Sequence, residues 1–403
     1  MNFVQAFRER VDLQPGVPAL IDHTLLGDRV LSYAALNRSV DTTSIRLREE
    51  KVRRGDLFLL LLEPSQEFYV HFLAALQIGA VPVVHAPGCN LRQILAWIRE
   101  ARPAACVLSL LQAANPQLAA GLRHVSKKIY PESTVSRGHW LRIGHIGAVE
   151  DVPDEAPALL LLTHDRSGRT MVWRWTQEQL GSTLGFLLSA LRLKAGDIDL
   201  CSTPLHLLAN LRAGLASLIP IGFGLLNRLQ LQRQLEKFKP TRTTALVTDL
   251  VYLLRKKSSP LHRIFVLEAP LEDAQRRFLA EHSSQATVEV LFGDVVPVAT
   301  IPLDPAMATD HACCVGNFFD RVEARTLPAP GRGTPAGTPG HAPPIGELIV
   351  RAGYLPTPCT LEGGTDSGRL FIESPGDPWL RTGCHGYFDA DQRFWTVPGT
   401  ADG

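Results

Sequence analysis

The sequence predicts an α/β fold: two parallel-sheet units followed by a β-rich tail. Three observations carry that expectation. Strand, helix and strand signals follow one another through short turns between Leu57 and Val84. The same alternation returns after about residue 156. After about Thr300 the texture changes to a Gly/Pro-rich loop, Pro328 to Pro344, and then to β-type patterning from Gly346. A buried strand, a covering helix and a second buried strand form the βαβ unit of a parallel sheet covered on both faces.

In order along the chain, Phe3 to Val11 and Tyr33 to Leu47 carry apolar residues at helical spacing. The turn Arg54-Gly55-Asp56 leads into the apolar run Leu57 to Leu62, a buried strand. Glu67 to Gln77 is helical, with Phe68, Phe72, Leu73 and Leu76 on one face, and Gly79 to Val84 is the next strand. Later, Ala158 to Leu162 reads as a strand and Thr176 to Leu193 as a long helix. Thr244 to Val247, Arg263 to Leu267 and Val288 to Leu291 read as further strands. These signals divide the chain into residues 1–155, 156–305 and 306–403.

Composition narrows the function classes. The 403 residues carry 41 basic and 40 acidic side chains, so no global field recruits nucleic acid or an anionic membrane. The apolar tract Leu205 to Leu226 is interrupted by Asn210, Arg212 and Pro220, too broken for a membrane span. The first residues lack the apolar core of a signal peptide, and the seven cysteines form no C-x-x-C pair. The cytoplasm with reduced thiols is the expected compartment, and no metal site is expected. There is no G-x-S-x-G elbow, no H-E-x-x-H and no dinucleotide fingerprint.

Several segments, in order, resemble the core motifs of the adenylate-forming superfamily, which includes acyl-CoA synthetases, aryl- and fatty-acid ligases and adenylation domains. They are Leu31 to Asn37, Leu61 to Val84, Gly196-Asp197 with Pro204-Leu205-His206, Ala269-Pro270-Leu271, Leu291-Phe292-Gly293, Gly346-Glu347-Leu348 and Trp379 to Gly383 followed by Gly386-Tyr387-Phe388. The resemblance implies the large N-terminal part of such an enzyme: two α/β subdomains and a small distorted β-barrel. The family's mobile C-terminal domain is expected to be absent, since the sequence stops at the family's hinge, where Thr400 stands for the hinge arginine.

The same resemblance implies four contacts with ATP and Mg²⁺, the hinge at Thr400 being one, and each departs from the family's pattern. The phosphate loop "TSGSTGxPK" reads Thr163-His164-Asp165-Arg166-Ser167-Gly168-Arg169-Thr170-Met171, with an acid in place of a glycine and a methionine in place of the lysine. Arg166 and Arg169 offer phosphate an alternative partner. The adenine and metal motif "YGxTE" reads Phe292-Gly293-Asp294-Val295-Val296, after the adenine-side Ala269, and valine offers Mg²⁺ no oxygen. Asp294 lies two residues early, roughly 6–7 Å away along an extended segment. The ribose-clamp aspartate is Cys384, a poor acceptor whose neighbour His385 points to the other face of a strand.

The resemblance also places His206, Asn210, Thr248 and Asp249 near the acyl or aryl pocket. His206 is either a pocket hydrogen-bonding group or a satisfied structural histidine. Asp249 reads as a helix N-cap for Leu250 onward or as a pocket acid. No catalytic residue is assigned. The expectation is a degenerate homologue that binds a carboxylic acid, an acyl thioester or a carrier-protein arm, with no firm cofactor. The alternative is a divergent ligase using Mg·ATP and loading an acyl carrier protein or CoA, helped by a partner chain.

Overall fold

Short apolar runs bounded by turns assemble into two sheets. The computed structural model describes residues 2–24, 27–86, 89–131, 147–164, 170–201, 203–220, 228–254, 260–267, 270–283, 285–303, 314–328, 345–360, 366–372 and 378–397. Among these, one sheet has seven strands and the other fourteen.

The seven-stranded sheet is parallel through Lys127–Ile129, Ala105–Val107, Leu57–Leu60, Val81–His85 and Pro157–His164. Thr170–Thr176 and Thr357–Cys359 then add antiparallel strands. Its central strands are buried on both faces and read as unbroken apolar runs for that reason. The helix Gln66–Gln77 starts at Ser65, whose hydroxyl accepts the Phe68 N–H at 3.2 Å, and every residue of the helix but Glu67 is buried.

The larger sheet has a parallel centre formed by Ala216–Leu218, Ile198–Cys201, Arg242–Ala245, Arg263–Val266 and Thr287–Phe292. Ala299–Pro302 and Cys314–Phe318 turn it antiparallel, and the β-rich tail continues from there. Among the described residues this tail is an open ladder continuous with the sheet rather than a closed barrel. The hairpin Pro18–Thr24 and Gly27–Ser32 forms the opposite edge. Sheet membership therefore crosses the sequence blocks: this hairpin joins the second sheet, and residues 157–176 complete the first.

Most expected elements stand within a few residues of their predicted ends. Two differ in kind. The strand expected at Thr244 to Val247 is Arg242–Ala245, and Val247 already opens the helix Val247–Leu254. Asp249 consequently sits inside the first turn rather than at the N-cap, where its charge still favours the helix dipole. Among the described residues, no helix is long and apolar enough to cross a membrane.

One joint positions the site. Tyr354 stacks on Phe186 of the helix Gln177–Ala190, with ring centroids 3.9 Å apart. Its hydroxyl donates to Pro297 O at 3.0 Å, and its carbonyl accepts from Thr183 Oγ1 at 2.5 Å. The tail is thereby fixed against both sheets at the end where the parallel strands of the second sheet finish.

Candidate functional site

In open α/β sheets, ligands bind beyond the carboxyl ends of the strands. Three parts of that edge hold expected site residues. The helix Pro204–Ala213 follows Ile198–Cys201, the helix Val247–Leu254 follows Arg242–Ala245, and the turn Gly293 to Val296 follows Thr287–Phe292.

His206 is 4% exposed. Its Nδ1 lies 2.6 Å from Thr203 Oγ1, while Nε2 is buried without a hydrogen-bond partner. Burial, reinforced by the Arg242 charge, drops its pKa to about 4, so the ring is neutral at physiological pH. Asn210 is committed elsewhere: its amide donates to Asp199 Oδ2 at 2.7 Å and Ser217 Oγ at 3.1 Å. Asp199 and Arg242 are each 1% exposed and stand 3.5 Å apart. Burial lifts the Asp199 pKa to about 6 in spite of that arginine. This buried network ties the helix Pro204–Ala213 to the sheet. Thr248 is exposed and Asp249 half-buried on their helix.

The strands Pro157–His164 and Thr170–Thr176 pair with Thr163 opposite Met171 and His164 opposite Thr170. Asp165 to Arg169 lie outside the described residues, as do Ala269 and Thr400. Met171 is 2% exposed, with its side chain buried. The Thr163 hydroxyl accepts the Trp173 indole N–H at 3.0 Å. His164 is exposed, with the Cys89 thiol 3.9 Å from its Nδ1.

Gly293 has φ +151°, and a Cβ there would stand 2.2 Å from Val296 O. Only glycine fits so tight a turn. The turn sends Val296 into the core at 2% exposure and leaves Asp294 outside. Asp294 accepts from Arg369 Nη2 at 2.8 Å.

On the strand Pro378–Phe388, pairing with Gly346–Arg351 is interrupted between Glu347 and Ile349, and Gly383 has φ +71°. Glu347 accepts the Gly383 N–H at 3.2 Å and the Arg381 Nε–H at 2.9 Å. Cys384 packs against the core, and its N–H donates to Thr382 Oγ1 at 3.1 Å.

These segments converge. Trp173, Gly293, Asp294, Val296, Leu355 and Thr382 are among the residues lining one cavity of about 20 Å³, the room of about one water. Arg369, on the short turn Ser367–Arg369, reaches the same place, with its guanidinium 5.8 Å from the Trp173 ring centroid. No motif or periodicity marked Arg369 in the sequence. At the described motif positions, Met171 and Val296 are buried apolar side chains and Cys384 packs against the core.

Residues 7–162 match the AMP-binding enzyme family. An olefin beta-lactone synthetase of Xanthomonas campestris is 26% identical over 200 residues, which are 48% of this chain and 36% of that protein. The match thus spans about a third of that relative's length. A Mycobacterium tuberculosis fatty acyl CoA synthetase superposes with a TM-score of 0.78 at 16% identity, covering 98% of this chain and 78% of that one. An O-succinylbenzoate coenzyme A synthetase from Bacillus subtilis, in complex with AMP, gives 0.77 at 16% identity, covering 97% of each chain. The fold is that of the adenylate-forming enzymes. Over residues 7–162 the chain also carries the sequence of the AMP-binding enzyme family.

Proposed function

We propose that this chain binds an acyl or aryl carboxylic acid, its thioester or the acyl arm of a carrier protein, with weak or no ATP-dependent adenylation. The observation that carries the reading is the placement of Met171 and Val296. At the two positions where the family resemblance implies a lysine on phosphate and a carboxylate on Mg²⁺, this chain has apolar side chains, each 2% exposed. They are part of the interior and cannot turn toward a nucleotide without opening it. The acid-binding half rests on His206, whose neutral ring keeps one buried nitrogen without a partner, a suitable place for a carboxyl or hydroxyl group.

ATP–pyrophosphate exchange across a panel of aryl and fatty acids tests the reading, with a flat response expected. Clear acid-dependent exchange by the purified protein overturns it. Thermal unfolding with Mg·ATP supplies a second readout: ligand at 100 times its Kd would stabilise the fold by about 2.7 kcal/mol, and no rise is expected.

A second reading, a working ligase that loads a carrier protein or CoA, draws support from the similarity to a named synthetase. It would need Arg166 and Arg169 on the phosphates and a lysine from another chain. The exchange assay separates the two.

A further inference from the structure

The central contact of the cleft belongs to a residue outside every family-like motif. Asp366 builds the turn that presents it: its N–H donates to Pro358 O at 3.0 Å, and its carbonyl accepts the Arg369 N–H at 3.1 Å. The Asp366 carboxylate accepts the Gly368 N–H at 3.0 Å. Arg369 is thus anchored to the edge of the first sheet and reaches toward the end of the second.

From there its guanidinium bonds one motif segment that the family resemblance assigns to a nucleotide and lies close to two others. Nη2 donates to Asp294 Oδ2 at 2.8 Å, on the turn of the adenine and metal motif. The guanidinium carbon lies 5.8 Å from the ring centroid of Trp173, on the phosphate hairpin. Nη1 lies 3.6 Å from where a Cβ on Gly383 would stand, in the ribose-clamp segment. The cavity beside it holds about 20 Å³, whereas ligand sites for small molecules run to about 300–1,000 Å³. Arg369 is 22% and Asp294 42% exposed at the side chain, so the pair is partly open to solvent beside the cavity that Asp294 lines.

We propose that Arg369 is a specificity-determining residue of this cleft: held by Asp294, laid against Trp173 and abutting Gly383, it keeps nucleotides out. The proposal rests on the reading of this cleft as the counterpart of the family's nucleotide site. It adds an active exclusion to the missing ligands. A cation fixed here also repels Mg²⁺, and the Asp294 carboxylate that could have served the metal is already engaged.

Calorimetric titration with AMP, without metal, tests the contact apart from the phosphate loop and the metal position. Arg369→Ala is expected to bind AMP about tenfold more tightly than the wild type, the scale set by one partly exposed ion pair and one cation–π contact. Asp294→Ala, which frees the arginine without removing it, is expected to shift affinity in the same direction, and keeps the test open should Arg369→Ala fold poorly. Unchanged affinity overturns the proposal, and so does an absence of measurable binding in both variants. Weaker binding by Arg369→Ala also overturns it, by making the arginine a phosphate receptor. The ratio of AMP affinities is read whether or not the wild type catalyses exchange. Acid-dependent exchange would therefore sink the proposed function and leave this result standing on its own.

Discussion

Replacing Asn210 by alanine decides whether this side chain serves the fold or a ligand. Its amide donates to Asp199 at 2.7 Å and to Ser217 at 3.1 Å. A hydrogen bond to a charged acceptor is worth about 1.5–3 kcal/mol and a neutral one about 0.5–1.5 kcal/mol. Losing both predicts a cost of about 3 kcal/mol, with a small addition for the cavity. The larger share depends on pH. Burial holds the folded-state pKa of Asp199 at about 6, above the ordinary 3.8. The folded protein therefore takes up this proton before the unfolded chain does. The stability associated with the protonated form is fully present below about pH 4 and is lost as the pH rises through 6. Asn210 supports the ionised form, so the cost of Asn210→Ala should fall by about half between pH 7.5 and pH 5. Urea unfolding followed by tryptophan fluorescence at the two pH values measures both effects. A cost below about 0.5 kcal/mol at pH 7.5, or one that does not change with pH, would refute the structural assignment.

His206 has a folded pKa of about 4 against an ordinary 6.5, so the unfolded chain binds the proton first and stability is lost as the pH falls between those values. His206→Gln should remove about 2–3 kcal/mol of acid-induced destabilisation between pH 7.5 and 4.5; an unchanged acid slope in urea melts would count against a buried neutral ring. Val296→Glu places a carboxylate in the core and should cost about 3 kcal/mol, with no recovery on adding Mg²⁺. A Mg²⁺-dependent rise in the Tm of that variant would show the position still open to a metal.

The parts of the fold legible in the sequence were those with strong local periodicity. The largely buried strands Leu57–Leu60 and Val81–His85 and the capped helix Gln66–Gln77 announce themselves as apolar runs bounded by turns. The hairpin Pro18–Thr24 with Gly27–Ser32 did not, because much of its second strand is only half-buried and lacks a clean alternation. Motif order drew attention to Met171 and to Phe292 to Val296, and the fold brings Trp173, two residues beyond Met171, and the segment Phe292 to Val296 to one cavity. The site was not legible where chain-distant partners decide the outcome. Nothing near Asn210 in sequence announces that Asp199 and Ser217 will take its amide, and Arg369 meets Asp294 across 75 residues.

The same long-range placement explains why the departures from the family's pattern belong together. A lysine at 171 and a carboxylate at 296 would be stable only with phosphate and Mg²⁺ to meet them; without those partners each is a buried charge, costly until neutralised. Methionine and valine remove that cost and fill the interior instead. Among the described residues, Cys384 packs against the core, Trp173 takes the Thr163 hydroxyl and Arg369 takes Asp294. Reverting one position alone then buries a charge beside a closed cleft and gains no ligand to offset it. Arg369→Ala removes an obstacle without burying a charge, and with Asp294→Ala it should be a single change whose effect on nucleotide affinity is favourable.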